Sequence, residues 1–190
     1  MTKNLLLVGV GGQGTILVSK ILSQGLVEEG YDVKMSEIHG MAQRGGSVTT
    51  QIRFGDKVYS PNICEGEADV LVAFEKVEAV RYIRQLRKGG ILIVNDVEIY
   101  PLPVLTGKEK YPEGVIEELK KNIENINVVN GRKIAEDVGE VKTQNIVLLG
   151  CIIKALKLED INWSDLIRRN VPERFQEVNI KAFNEGLKLL

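Results

Sequence analysis

Histidine is almost absent from this 190-residue sequence and cysteine is scarce: there is one His and there are two Cys. One histidine excludes a His-rich metal centre. Two cysteines can build neither a disulfide framework nor the four-thiolate shell of an iron–sulfur cluster or a structural zinc. No metal ligand is therefore expected in this chain. Neither sign of charge is in excess, since 25 basic residues face 26 acidic ones. That near-neutrality argues against a nucleic-acid partner, which a basic stripe would announce. No run reaches the roughly 18 apolar residues of a membrane span, so no membrane association is expected. Residues 5–8 could pass for the core of a signal peptide, but the run ends at once in glycines with no small-residue cleavage site. A first core strand is the better reading. The expected compartment is the cytoplasm, with both cysteines reduced and packed as core thiols.

What is present suits an ordinary folded domain. With 44% apolar residues, a chain this long can bury on the order of 70% of its unfolded surface. One domain over residues 1–190 is expected. Residues 5–10 form a short continuous apolar run, the pattern of a strand covered on both faces. An amphipathic stretch follows over 15–29, ended by Gly30, and 32–38 reads as a second strand. Such a β-loop-α-β unit makes the two strands parallel, with a right-handed crossover. Residues 47–54 alternate, with Val48, Thr50, Ile52 and Phe54 on one face. A turn at 55–57 and a short return strand at 58–60 would complete a hairpin at a sheet edge. Buried strands are expected at 69–74, 91–95 and 126–130. Helices are expected at 77–87, ending at Gly89-Gly90, at 115–122 and at 132–138. The proline-bearing stretch 96–114 is a surface excursion. Helices fill the last fifty residues, beginning with an apolar one over 145–157. The fold class is α/β: a Rossmann-like, mostly parallel sheet with an antiparallel edge hairpin, helices on both faces and a helical C-terminus.

Chemistry concentrates in two loops. Gly9, Gly11 and Gly14 satisfy G-x-G-x-x-G directly between a strand and a helix, with Gly12 as a further position without a side chain. Such a turn brings backbone N–H groups and a helix N-terminus to a phosphate. It serves equally well as a close helix–sheet packing turn without a ligand. Gln13 offers an amide to an anion or a carbonyl. Glu37 lies about 20 residues beyond Gly14, where a dinucleotide site places its ribose acid, so a free-standing NAD(P)- or FAD-binding oxidoreductase is one reading. The second loop, residues 37–47, leaves the second strand on the same rim and holds the only His. Arg44 suits a bidentate contact with phosphate or carboxylate. Alternatively it pairs with Glu37. Gly45 and Gly46 let backbone approach a ligand or partner, and Gln43 adds an amide. His39 could do acid–base work, or be a structural or interface residue. Arg81, Arg84, Arg87 and Lys88 could dock an acidic protein or nucleotide phosphates, or simply be a solvated helix face. Glu75, Glu78 and Asp96 lie near strand ends, but their spacing singles none of them out. Trp163 reads as a core or interface anchor.

The two loops resemble the gamma-type subunit or domain of the 2-oxoacid:ferredoxin oxidoreductases. Residues 9–14 resemble that family's G-x-G-G-Q-G. The run His39-Gly40-Met41-Ala42-Gln43-Arg44-Gly45-Gly46-Ser47-Val48 is similar to the indolepyruvate branch rather than to the pyruvate or 2-oxoglutarate branches. Tyr59-Ser60-Pro61, residues 66–71, Gly89-Gly90 and residues 145–150 extend the likeness over essentially the whole chain. The resemblance implies a single gamma-type domain in a hetero-oligomer that decarboxylates an arylpyruvate such as indolepyruvate. The acyl group is captured as a coenzyme A thioester and the electrons pass to ferredoxin. It also implies that thiamine diphosphate and iron–sulfur clusters sit on a larger partner subunit. The sequence agrees by lacking the thiamine signature: Gly55-Asp56 is followed by Lys57, and no Asn-Asn occurs. No catalytic residue is expected here, and the isolated chain should be inactive. Gly9, Gly11, Gly12, Gln13, Gly14, Glu37, His39, Gln43, Arg44, Gly45 and Gly46 are the candidate contacts to coenzyme A.

Overall fold

The computed structural model describes residues 2–40 and 45–190. Six strands form one sheet in the order β2-β3-β1-β4-β5-β6. They are β1 (Lys3–Val10), β2 (Asp32–His39), β3 (Ser47–Gly55), β4 (Ala68–Ala73), β5 (Leu86–Asn95) and β6 (Ile126–Val129). β1, β4, β5 and β6 are mutually parallel. β3 runs antiparallel to both β1 and β2.

The expected fold class holds, but the antiparallel pair is differently composed. β1 and β2 share a direction, as the β-loop-α-β reading requires, yet they are not neighbours. β3 is inserted between them, with Leu7 and Glu37 both opposite Thr50. The edge hairpin is therefore β2–β3, joined through the second loop. No strand forms at 58–60, which is irregular backbone. Val58 is buried and its N–H is bound by Asp32 Oδ2 at 3.0 Å. That bond takes the place of a strand ladder.

Eight helices surround the sheet among the described residues: α1 (Thr15–Glu28), α2 (Lys76–Tyr82), α3 (Leu102–Leu105), α4 (Val115–Asn122), α5 (Gly131–Val138), α6 (Gln144–Leu156), α7 (Trp163–Asn170) and α8 (Gln176–Leu187). The strands' period of two splits the core into two layers. Leu5, Leu7, Ile52, Val70 and Val72 face Val18, Ile21 and Leu22 of α1, the apolar length of α6, and Trp163. Leu6, Val8, Leu71, Leu92 and Val94 face Ala79 of α2 and Val115 and Leu119 of α4. Helices thus lie on both faces. Trp163 is a core anchor, with its indole N–H donating to the Leu158 carbonyl at 2.7 Å.

The helix expected over 77–87 is shorter. It ends at Tyr82, passes through a single 3₁₀ turn at Ile83–Gln85, and β5 begins at Leu86. Gly89 and Gly90 are not a helix cap. They lie where the β4–β5 pairing slips between Ala68 and Val70. A Cβ on Gly90 would meet the Arg87 and Ala68 carbonyl oxygens at 3.0 and 3.1 Å, so this irregularity needs glycine. As a result Arg81, Arg84 and Arg87 share no helix face. Arg87 pairs with Asp69 at 2.8 Å and Arg81 with Glu78 at 3.2 Å. Cys151 is buried as expected, but Cys64 is exposed on the loop before β4.

Candidate functional site

The parallel strands end at one rim. There β1 runs into the glycine loop, and β3 begins directly after the second loop. A backbone bond joins the two loops: Gly11 N–H donates to the Gly46 carbonyl at 2.9 Å. The second loop's stem is closed further by Gly40 N–H on the Ser47 carbonyl at 3.4 Å.

The glycines have separable roles. Gly14 is in the left-handed region at φ 76°, and a Cβ there would lie 2.4 Å from Asn145 Nδ2. Asn145, at the start of α6, donates to the Gly14 carbonyl at 3.3 Å. Gly14 thus permits a close approach between two helix N-termini. Gly9 is equally confined, 2.9–3.0 Å from Gln13 Oε1 and Phe74 Cβ were a Cβ added. Gly12, at φ 101°, is different: a Cβ would meet nothing within 4 Å. The backbone at Gly12 therefore faces open space. Gly14 caps α1 without any side-chain hydrogen bond, so the helix presents its first N–H groups and partial positive charge outward.

Gln13 lines the second of the clefts described below, but both ends of its amide are bound to backbone. Its Oε1 accepts the Val10 N–H at 2.7 Å and its Nε2 donates to the Phe74 carbonyl at 2.6 Å. It ties the end of β1 to the end of β4. The carbonyl it binds is a backbone one.

Two clefts flank the glycine loop. One, of about 460 Å³, is lined by Gly11, Gly12, Gly14, Thr15, His39 and Val48 among others. The other, of about 370 Å³, runs from Gly12 and Gly14 past Lys142 and Asn145 to Phe175. Gly12 and Gly14 are common to both, so the loop is a ridge between two hollows.

Glu37 and His39 are brought together, with Nε2 of His39 3.6 Å from Oε2 of Glu37. The other Glu37 oxygen accepts from buried Ser19 on α1 at 3.0 Å. Because β3 separates β2 from β1, Glu37 stands two strand spacings, about 10 Å, from the strand that carries the glycine loop. A ribose acid belongs on the neighbouring strand, so the dinucleotide reading loses its geometric basis. Gly45 lies near the stem at φ 77°. Gln43 and Arg44 fall outside the described residues.

Two carboxylates that the sequence did not single out are central to the rim. Glu75 is buried and caps α2, accepting from Val77 N–H at 2.7 Å and Glu78 N–H at 3.1 Å. It also accepts from the Tyr111 hydroxyl and, at 3.4 Å, from Ile99 N–H. Burial and that carboxylate together push the Tyr111 phenol up. Glu78, one turn on, accepts from the Ser47 hydroxyl at 2.5 Å. Burial raises its carboxyl above the ordinary range, against the opposing pull of Ser47 and Arg81. The available signal was two acids three residues apart directly after an apolar strand. Among the described residues no cluster of His, Cys, Asp and Glu could hold a metal ion, and no helix is long and apolar enough to cross a membrane.

A family model described as pyruvate ferredoxin/flavodoxin oxidoreductase matches residues 4–189. The chain belongs to that family. It is 40% identical to the indolepyruvate oxidoreductase subunit IorB of Pyrococcus horikoshii, over 97% of this chain and 94% of that protein. It is 30% identical to the common gamma subunit of the pyruvate/ketoisovalerate oxidoreductases of Thermococcus kodakarensis, over 94% of this chain and 91% of that one. Among solved structures, the keto/oxoacid ferredoxin oxidoreductase gamma subunit of Geobacter sulfurreducens superimposes with a TM-score of 0.70 at 25% identity. That alignment covers 98% of this chain and 96% of the other. These similarities extend over nearly the whole length on both sides, so the resemblance of the two loops reflects relatedness of the entire fold.

Proposed function

We propose that this chain is the small subunit of an indolepyruvate (arylpyruvate):ferredoxin oxidoreductase, and that its rim completes the site for coenzyme A. The observation that carries the reading is the joined mouth: the Gly11–Gly46 bond, the open backbone at Gly12 and the uncapped start of α1 meet on one ridge. The residues fit a diphosphate. Such a group needs N–H donors, positive potential and no side chain in its way, and Gly12 and α1 provide these. Arg44 would add a bidentate cation. His39, Gly45 and Gly46 would line the approach. Gly9 packs beneath the loop, while Gln13 and Glu37, both half-buried, brace it through hydrogen bonds. When bound, coenzyme A supplies the thiol that receives the acyl group. Thiamine diphosphate and iron–sulfur clusters belong to a larger partner, which also passes electrons to ferredoxin. This chain's part is to bind and orient.

The test uses the enzyme purified with its partners. Indolepyruvate should be oxidised in preference to pyruvate or 2-oxoglutarate. Arg44→Ala should raise KM for coenzyme A by about tenfold, the scale of one lost charge-assisted contact. Normal coenzyme A binding by the Arg44→Ala assembly would overturn the site. Oxidation of a 2-oxoacid by the isolated chain, or its tight binding of NADH, would overturn the functional class.

A further inference from the structure

The first residue of β3 is tied to a helix on the opposite side of the rim. Ser47 Oγ donates to Glu78 Oε2 at 2.5 Å and lies 3.3 Å from the Tyr82 hydroxyl. Glu78 is 4% exposed, and its other oxygen takes Arg81 Nε at 3.2 Å. Ser47 adjoins Gly46, whose carbonyl holds the Gly11 N–H. A continuous path of short contacts thus runs from α2 through β3 to the glycine loop.

Burying a carboxylate at this point is unfavourable unless its bonds fix something. An apolar residue in place of Glu78 would escape that desolvation cost. The hydroxyl it holds belongs to the one strand that separates β1 from β2, at the end where that strand meets the glycine loop. Nothing in the α2 helix itself requires the bond, because Glu75 already caps its N-terminus.

We infer that Glu78 is a positioning residue, which sets the glycine loop for coenzyme A by holding Ser47 and thereby the Gly46–Gly11 contact. The inference rests on the coenzyme A reading of the rim. Glu78 touches no ligand and acts only through the backbone of β3.

The test is made on the assembled enzyme with Glu78→Ala, Ser47→Ala and Glu78→Gln. KM for coenzyme A and kcat are measured together with hydrogen exchange over residues 9–14. Both alanine variants should raise KM for coenzyme A about tenfold, the scale of one lost hydrogen bond to a charged group, with kcat changed less than twofold. Exchange at the glycine loop should rise in parallel. The Glu78→Ala/Ser47→Ala double variant should be no worse than either single, because both break one path. Glu78→Gln, which keeps an acceptor for Ser47, should recover most of the affinity. Additive effects, or unchanged loop exchange, would overturn the inference. Gly12→Ala serves as the control for the underlying reading, since it both strains the loop at φ 101° and puts a methyl into the open space at the ridge. If Gly12→Ala weakens coenzyme A and the Glu78 and Ser47 variants do not, the positioning role alone is wrong. If Gly12→Ala is silent, the ligand reading itself is wrong.

Discussion

Replacing Gln13 by alanine separates a structural role from a ligand-binding one. The side chain makes two backbone bonds and, among the described residues, no other. The Val10 N–H it receives belongs to a residue only 7% exposed, so its loss leaves a largely buried donor unpaired, at about 2 kcal/mol. The Phe74 carbonyl keeps a weaker bond from Asn95 at 3.4 Å, so the second loss should cost about 1 kcal/mol. The sum is about 3 kcal/mol. At 2–4 °C per kcal/mol for a domain of this size, the melting temperature should fall by about 9 °C. Urea and thermal unfolding of the purified subunit measure both quantities. Because the two bonds also hold the glycine loop, coenzyme A affinity of the assembly, taken well below the new melting temperature, should fall in step with stability, by about tenfold. A variant of unchanged stability that no longer binds coenzyme A would refute the reasoning, because Gln13 would then face the ligand.

Three further outcomes follow from the packing and the charges. A Cβ on Gly186 would lie 2.1 Å from the Val147 carbonyl oxygen and 3.1 Å from Gly150 Cα, so Gly186→Ala should force α6 and α8 apart and cost about 3 kcal/mol by urea unfolding. Cys64 is exposed while Cys151 is buried, with its thiol pushed up to about 12 by burial. One equivalent of maleimide should therefore react with the native subunit and two after unfolding. Asp32 is held down to about 2 from 3.8, first by Lys34 and then by the Val58 N–H. The folded form then binds fewer protons than the unfolded one between those values, so its contribution is complete above about pH 4 and is lost as pH falls through about 2. Asp32→Asn should flatten that acid limb in urea midpoints taken from pH 2 to 5.

The sequence made most elements legible because burial on two faces leaves uninterrupted apolar runs. Residues 5–10, 70–73 and 91–94 are such runs, and all three fall in parallel central strands. β3 misled for a definite reason. Its alternation was read as the mark of an edge, yet the strand is internal. Val48, Thr50, Ile52 and Phe54 turn toward one side, while Ser47, Gln51 and Arg53 turn toward the side that carries α2, where Ser47 meets Glu78. Gln51 Oε1 accepts the Ile63 N–H at 2.6 Å, and Arg53 donates to the Ser60 and Asn62 carbonyls. The period reported one apolar face and one hydrogen-bonded polar face, not position in the sheet. Gly89-Gly90 misled because glycine marks a helix end and a strand irregularity equally well. At the site, the glycine spacing identified the ridge, but it could not distinguish Gly12, which is open, from Gly9 and Gly14, which are packed. That distinction depends on Phe74 and Asn145, which are 65 and 131 residues away in the chain.

β2 is bordered by β3 on one side only. Among the described residues its outward amides and carbonyls have no neighbouring strand, and Ile38, 56% exposed, stands beside them. Unsatisfied ladders of this kind recruit other ladders. A preparation of the polypeptide without its natural companions should therefore lose material first to sticking along this flank, and a lysine introduced at Ile38 is the change that would keep it in solution.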